Sequence, residues 1–119
     1  MRRGRLPVAG RPWRIDPETL SEAIEAYATG EGFAATLEHA ITGRAERLDE
    51  VRAPVTIVWG TRDVVLLPRQ GRRYARAIPG AELRLLPGCG HIPMWDDPAL
   101  VAETILELTS PRPPARAPA

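Results

Sequence analysis

Pro54-Val55-Thr56-Ile57-Val58-Trp59-Gly60-Thr61-Arg62-Asp63 holds a β-branched, almost wholly apolar run that stops at a glycine and is followed by a carboxylate. A run such as Val55–Trp59 suits a strand covered on both faces, as in a parallel sheet. Working outward, Pro68 opens a helix whose small or apolar side is Gly71, Tyr74, Ala75 and Ile78, and Pro79-Gly80 closes it. Glu82–Leu86 reads as a second strand ended by Pro87-Gly88. Two strands joined by a helical crossover of this length should be parallel, with a right-handed connection. The expected class is α/β.

In open α/β sheets, chemistry sits beyond the carboxyl ends of the strands. Two loops occupy that position, one with Asp63 and the other with His91. Neighbouring parallel strands lie about 4.8 Å apart, so both residues should emerge at one sheet edge. A carboxylate there can receive the imidazole Nδ1–H, fix its tautomer and stabilise the imidazolium formed when Nε2 takes a proton. Asp suits the role because its short side chain is easily held in a turn. His suits the other because imidazole titrates near neutrality.

The motifs also carry a family likeness. Pro54–Asp63 resembles the α/β-hydrolase segment that ends in the triad acid, and Val64-Val65-Leu66-Leu67-Pro68 resembles the stretch just after that acid. Pro87-Gly88-Cys89-Gly90-His91-Ile92-Pro93-Met94 is similar to the family's histidine loop, and Asp96-Asp97-Pro98 to the start of its last helix. The likeness covers residues 52–109, and residues 16–50 match a helical cap end only in pattern. It implies a partial α/β-hydrolase fold, with two parallel strands, helices on the sheet and a helical cap remnant. It implies Asp63 and His91 as catalytic residues, placed last in the order nucleophile, acid, His. Met94 and Trp95 would help wall the site and contact substrate. No cofactor and no metal are implied.

The nucleophile is the departure. The family places it in Gly-x-Ser-x-Gly on a sharp strand-to-helix turn. The sequence has no such motif, and its serines, Ser21 in the first helix and Ser110 at the tail, do not follow a strand. The expectation is a truncated hydrolase, from a shortened or split gene or a misplaced start codon, without activity of its own. The alternative is a non-catalytic remnant or a split-protein half that docks on a partner chain. The expected partners are a small-molecule substrate once the enzyme is complete, and a second copy or a complementing N-terminal half; no nucleic acid and no membrane are expected. Cys89 invites a Cys–His reading, but neighbours in a tight glycine-flanked loop seldom bring their side chains together.

The rest of the chain frames this core. Residues 1–15, Arg-, Pro- and Gly-rich, read as a disordered basic leader. Residues 16–52 read as cap-end and connecting helices. The first is capped by Asp16 with Pro17 at its first position, and Leu20, Ala23, Ile24 and Tyr27 come after it at helical spacing. The second runs from Phe33 to Ile41, and a short helical turn is expected over about 44–52. Residues 53–109 form the C-terminal βαβα part of the core, its last helix capped by Asp97. Residues 110–119 read as a disordered tail. Sixteen arginines and no lysine stand against fifteen acidic residues, a net charge of +1 that argues against a dedicated nucleic-acid binder. One cysteine excludes an internal disulfide. The absence of a long apolar run makes a cytoplasmic location the default expectation.

Overall fold

The computed structural model describes residues 7–110. Along the chain come a 3-10 turn (Pro12–Arg14), α1 (Pro17–Thr29), α2 (Phe33–Thr42), a second 3-10 turn (Leu48–Glu50), β1 (Thr56–Gly60), α3 (Pro68–Ala77), β2 (Glu82–Leu86), α4 (Pro93–Asp96) and α5 (Pro98–Thr109). The strands pair in parallel, with Thr56 opposite Glu82 and Gly60 opposite Leu86. This is the strand–helix–strand–helix order read from the sequence, with α4 added.

Local chemistry explains the boundaries. Asp16 caps α1 by accepting from the backbone N–H of Glu18 and Thr19, and Asp97 caps α5 by accepting from Leu100 N. Prolines stand in the first turn of α1, α3, α4 and α5, where a missing N–H costs nothing. Gly80 (φ 72°) and Gly88 (φ 74°) turn the chain after α3 and β2 through backbone angles that side chains resist. Residues 44–52, expected as one helical turn, hold only the 3-10 turn at Leu48–Glu50, entered through Arg47 at φ 58°.

The sheet presents Ile57, Trp59, Leu83 and Leu85 on one face, by strand alternation. That face receives α3. Gly71 lies so close to the indole that a Cβ there would come within 2.8 Å of Trp59 Cε3. Trp59 stacks on Tyr74 with ring centres 6.5 Å apart, and its Nε1 donates to Leu66 O. The opposite face carries Val58 and Arg84, and Arg84 reaches Glu107 of α5 through two hydrogen bonds. Cover on that face is partial. Val58, expected to be buried in a doubly covered strand, is exposed.

Among the described residues the side chains buried most fully are Leu86, Cys89, Asp63, Asp96 and Thr104. Apart from Thr104 on α5, they stand at the end of β2 or in the segments that follow β1 and β2, not within a thick apolar layer. α1 and α2 follow one another along the chain, and across their connection Tyr27 makes an edge-on contact with Phe33 at 5.3 Å. Ile24, Tyr27, Phe33 and Leu37 of these two helices stay exposed.

The N-terminal expectation needs correction. Residues 1–6 lie outside the described residues, as do 111–119 of the expected tail. Residues 7–15 are fastened to the histidine loop: Ile92 N donates to Val8 O, Gly10 and Arg11 donate backbone N–H groups to Asp96, and Arg11 pairs with Asp97. Three of these contacts join residues 85 or 86 positions apart, so no local pattern in the sequence announces them.

Candidate active site

Asp63 and His91 leave the carboxyl ends of β1 and β2 and meet. His91 Nδ1 lies 3.0 Å from Asp63 Oδ2. With the ring proton on Nδ1, the imidazole donates to the carboxylate. Asp63 is 5 % exposed, and its Oδ1 accepts from the backbone N–H of Val65 and Leu66 at 3.0 and 2.9 Å. The carboxylate therefore cannot rotate without losing two hydrogen bonds. About a third of the His91 side chain faces solvent (34 %), and Nε2 has no partner among the described residues.

Backbone packing sets this geometry. Thr61 N donates to Leu86 O, Arg62 N to Cys89 O, and Gly88 N to the Thr61 hydroxyl, so the two loops are stitched together. The approach is closest at Gly60, where a Cβ would stand 2.3 Å from Gly90 O. Gly90 in turn lies against Gly10, with its own Cβ position 2.5 Å from Gly10 N. Three segments distant in sequence thus meet at three glycines.

The other residues picked out from the sequence fall elsewhere. Met94 (55 % exposed) and Trp95 sit on α4 and line a cleft of about 330 Å³ whose other wall includes Arg14, Ile15 and Thr19. Asp63 and His91 do not line it. A larger groove of about 790 Å³ runs between residues 43–49 and α3, and it holds neither member of the pair. The larger hollow is thus not where the acid–histidine chemistry sits. Cys89 is fully buried, and burial, reinforced by the nearby Asp96 carboxylate, pushes its thiol above the ordinary value. A buried, protonated thiol is a poor nucleophile. Sequence reasoning missed Asp96, which is 0 % exposed and accepts from Gly10, Arg11 and Gly90. Among the described residues no group of three or more His, Cys, Asp or Glu side chains is arranged to hold a metal, and no helix is long and apolar enough to cross a membrane.

Residues 1–104 match the model of the "Alpha/beta hydrolase family". An uncharacterised protein of Mycobacterium tuberculosis is 43 % identical over 61 residues, which is 49 % of this chain and 18 % of that protein. A 2-hydroxy-6-oxononadienedioate/2-hydroxy-6-oxononatrienedioate hydrolase of Klebsiella pneumoniae is 40 % identical over 50 residues, 42 % of this chain and 17 % of that one. Among solved structures, an N-acyl homoserine lactone degrading enzyme superposes with a TM-score of 0.67 at 26 % identity, covering 87 % of this chain and 43 % of the other. A serine hydrolase involved in carbazole degradation superposes with a TM-score of 0.72 at 23 % identity, over 88 % and 44 %. The match thus spans less than half of each of these proteins.

Proposed function

The chain belongs to the alpha/beta hydrolase family, and on that footing we propose that Asp63 and His91 are the acid and base of a nucleophile–His–Asp triad whose nucleophile lies outside these 119 residues. The observation that supports this most is the 3.0 Å contact from His91 Nδ1 to a buried carboxylate whose second oxygen is already occupied. In the working enzyme, His91 Nε2 takes the proton of the nucleophile as it attacks a carbonyl or related electrophilic carbon. It then returns that proton to the leaving group. Asp63 stays ionised, keeps the proton on Nδ1 and stabilises the imidazolium.

The substrate class is a small molecule with an electrophilic carbonyl, such as an ester. The relatives' hydrolase names and the lactone-degrading structural neighbour support that class. Met94 and Trp95 reach substrate only at its periphery, since they wall a cleft that excludes the pair. A second reading, a split-protein half that docks on a partner, draws on the exposed apolar run Val64–Leu67 beside the acid. The two readings are compatible: the partner surface is the one that would bring the nucleophile.

A fusion that appends the nucleophile-bearing N-terminal half of a family relative tests the assignment, with a p-nitrophenyl ester as substrate. Turnover is expected in the fusion, to be abolished by His91→Ala, and none above background in the 119-residue chain alone. Turnover in the fusion that survives His91→Ala overturns the triad role. Turnover by the short chain alone, lost in His91→Ala, overturns the placement of the nucleophile.

A further inference from the structure

Asp96 is a fully buried carboxylate that the reaction above does not use. Its Oδ2 accepts from Gly90 N at 2.6 Å and Gly10 N at 2.9 Å, and its Oδ1 accepts from Arg11 N. Gly90 immediately precedes His91, and Ile92, which immediately succeeds it, donates its N–H to Val8 O. The backbone on both sides of His91 is therefore tied to the same segment, once through Asp96 and once directly. Arg11 adds a third tie by donating from its guanidinium to Pro87 O at the start of the loop. A neutral apolar side chain at position 96 would take the acceptor from three backbone donors, the Gly90 bond buried and the Gly10 and Arg11 bonds part-buried, and the loop would lose these ties.

We propose that Asp96 is the positioning residue for His91: it holds the histidine loop and the residue 8–11 segment together so that the imidazole Nδ1 faces Asp63. This deepens the triad reading and rests on it. Asp96 does not touch the ring, so its influence passes through Gly90 and the loop backbone. Asp97 makes the contrasting case. It binds Arg11 and Arg14 side chains and caps α5, without a contact to the loop backbone beside His91.

The test is the tautomer of His91, read by nitrogen-15 NMR of histidine-labelled 119-residue protein at a pH where both imidazoles are neutral. His39, exposed on α2, is the internal control. Near-UV circular dichroism, to which the Trp59–Tyr74 stack contributes alongside Trp13 and Trp95, reports whether the aromatic side chains remain packed. In the unaltered protein the Nδ1–H tautomer is expected at His91, because a carboxylate accepts from that nitrogen. Asp96→Leu is expected to lose most of that signal while His39 and the near-UV band stay unchanged. Asp97→Asn is expected to leave His91 as it was. Asp96→Asn retains one oxygen, enough for the Gly90 and Gly10 donors, and is expected to fall between. Should Asp96→Leu lose the near-UV band, Asp96→Asn decides. A reduced Nδ1–H signal with the band intact supports the proposal, and an unreduced signal overturns it. An Asp96→Leu protein that keeps the band and the full Nδ1–H signal also overturns it. Absence of the Nδ1–H tautomer in the unaltered protein overturns the Asp63–His91 pairing itself, a distinguishable failure.

Discussion

At the scale of single residues, the pair Asp63–His91 differs from two loop residues that happen to touch because every other contact of the acid is committed. Val65 and Leu66 donate to Oδ1, leaving Oδ2 for the imidazole. Asp63→Asn keeps the shape but offers a side-chain amide where a negative acceptor is needed, and it supports the wrong tautomer. In the completed enzyme it should lower turnover by about 10⁴, the loss seen when the acid of a serine-protease triad is made an amide. Steady-state ester hydrolysis by the fusion, with circular dichroism to confirm folding, measures it; a loss below tenfold would remove Asp63 from the triad. Cys89 permits a second prediction. Its thiol is buried and pushed above the ordinary value by burial and by Asp96. Attack on a disulfide reagent needs an exposed thiolate. Native protein should therefore react slowly with a chromogenic disulfide and fully once denatured. Fast native reaction would mean that the histidine loop opens readily.

At the scale of elements, competing effects can be weighed on α3. Gly71→Ala improves intrinsic helix propensity by up to about 1 kcal/mol. Its new Cβ would lie 2.8 Å from Trp59 Cε3 and 3.0 Å from Cδ2, against a ring fixed by Tyr74 and by the Nε1 bond to Leu66 O. Overpacking of that kind costs about 1–3 kcal/mol, so net destabilisation is expected. Denaturant unfolding read through the Trp59 signal checks it, and a stabilised variant would show that α3 is loosely seated. The α5 cap carries a pH dependence. The Leu100 N–H, then the Arg11 guanidinium, hold the Asp97 carboxyl below the usual carboxylate range. A carboxyl with a depressed folded-state value stabilises the protein above its unfolded value and loses that contribution as pH falls through the folded one. The stability gap between the native protein and Asp97→Asn should therefore be present at neutral pH and close in acid, below about pH 4. A gap that is constant with pH would exclude a role for the charge.

The elements also show what the sequence makes legible. Strand–helix–strand order, the caps at Asp16 and Asp97 and the two loop residues Asp63 and His91 are readable because each rests on local chemistry: β-branching, a proline in a first turn, a carboxylate after a glycine. Asp96 is not readable, because its donors Gly10 and Arg11 come from a segment whose composition looks structureless. Met94 and Trp95 line a cleft other than the expected one for a related reason. The four-residue α4 breaks no periodic pattern, yet it turns them toward residues 14–19.

At the scale of the whole molecule, shape and burial disagree with a self-sufficient domain. The radius of gyration is 17.4 Å and the extents are 61 × 32 × 24 Å, against about 13 Å for the radius of a compact 100-residue domain. Leu86 and Cys89 are the only apolar side chains among the described residues that reach full burial. Few apolar side chains are withdrawn from water, so apolar burial within the chain contributes little to its stability. Meanwhile Ile24, Val64, Ile105 and Leu106 are each more than half exposed, and among the described residues the two-stranded sheet leaves an unpaired edge on each strand. Surface of this kind gains by contact with another chain. The 119-residue protein should therefore self-associate at micromolar concentration, and its unfolding midpoint should rise with concentration, because association stabilises the folded state by mass action. Adding the N-terminal half of a family relative should replace self-association with a one-to-one complex and slow amide exchange at Val64–Leu67, the run beside Asp63. Sedimentation velocity and hydrogen exchange read both. A monomer at every concentration, with a concentration-independent cooperative transition, would mean that these apolar faces are stable in water as they stand and that the fold needs no partner.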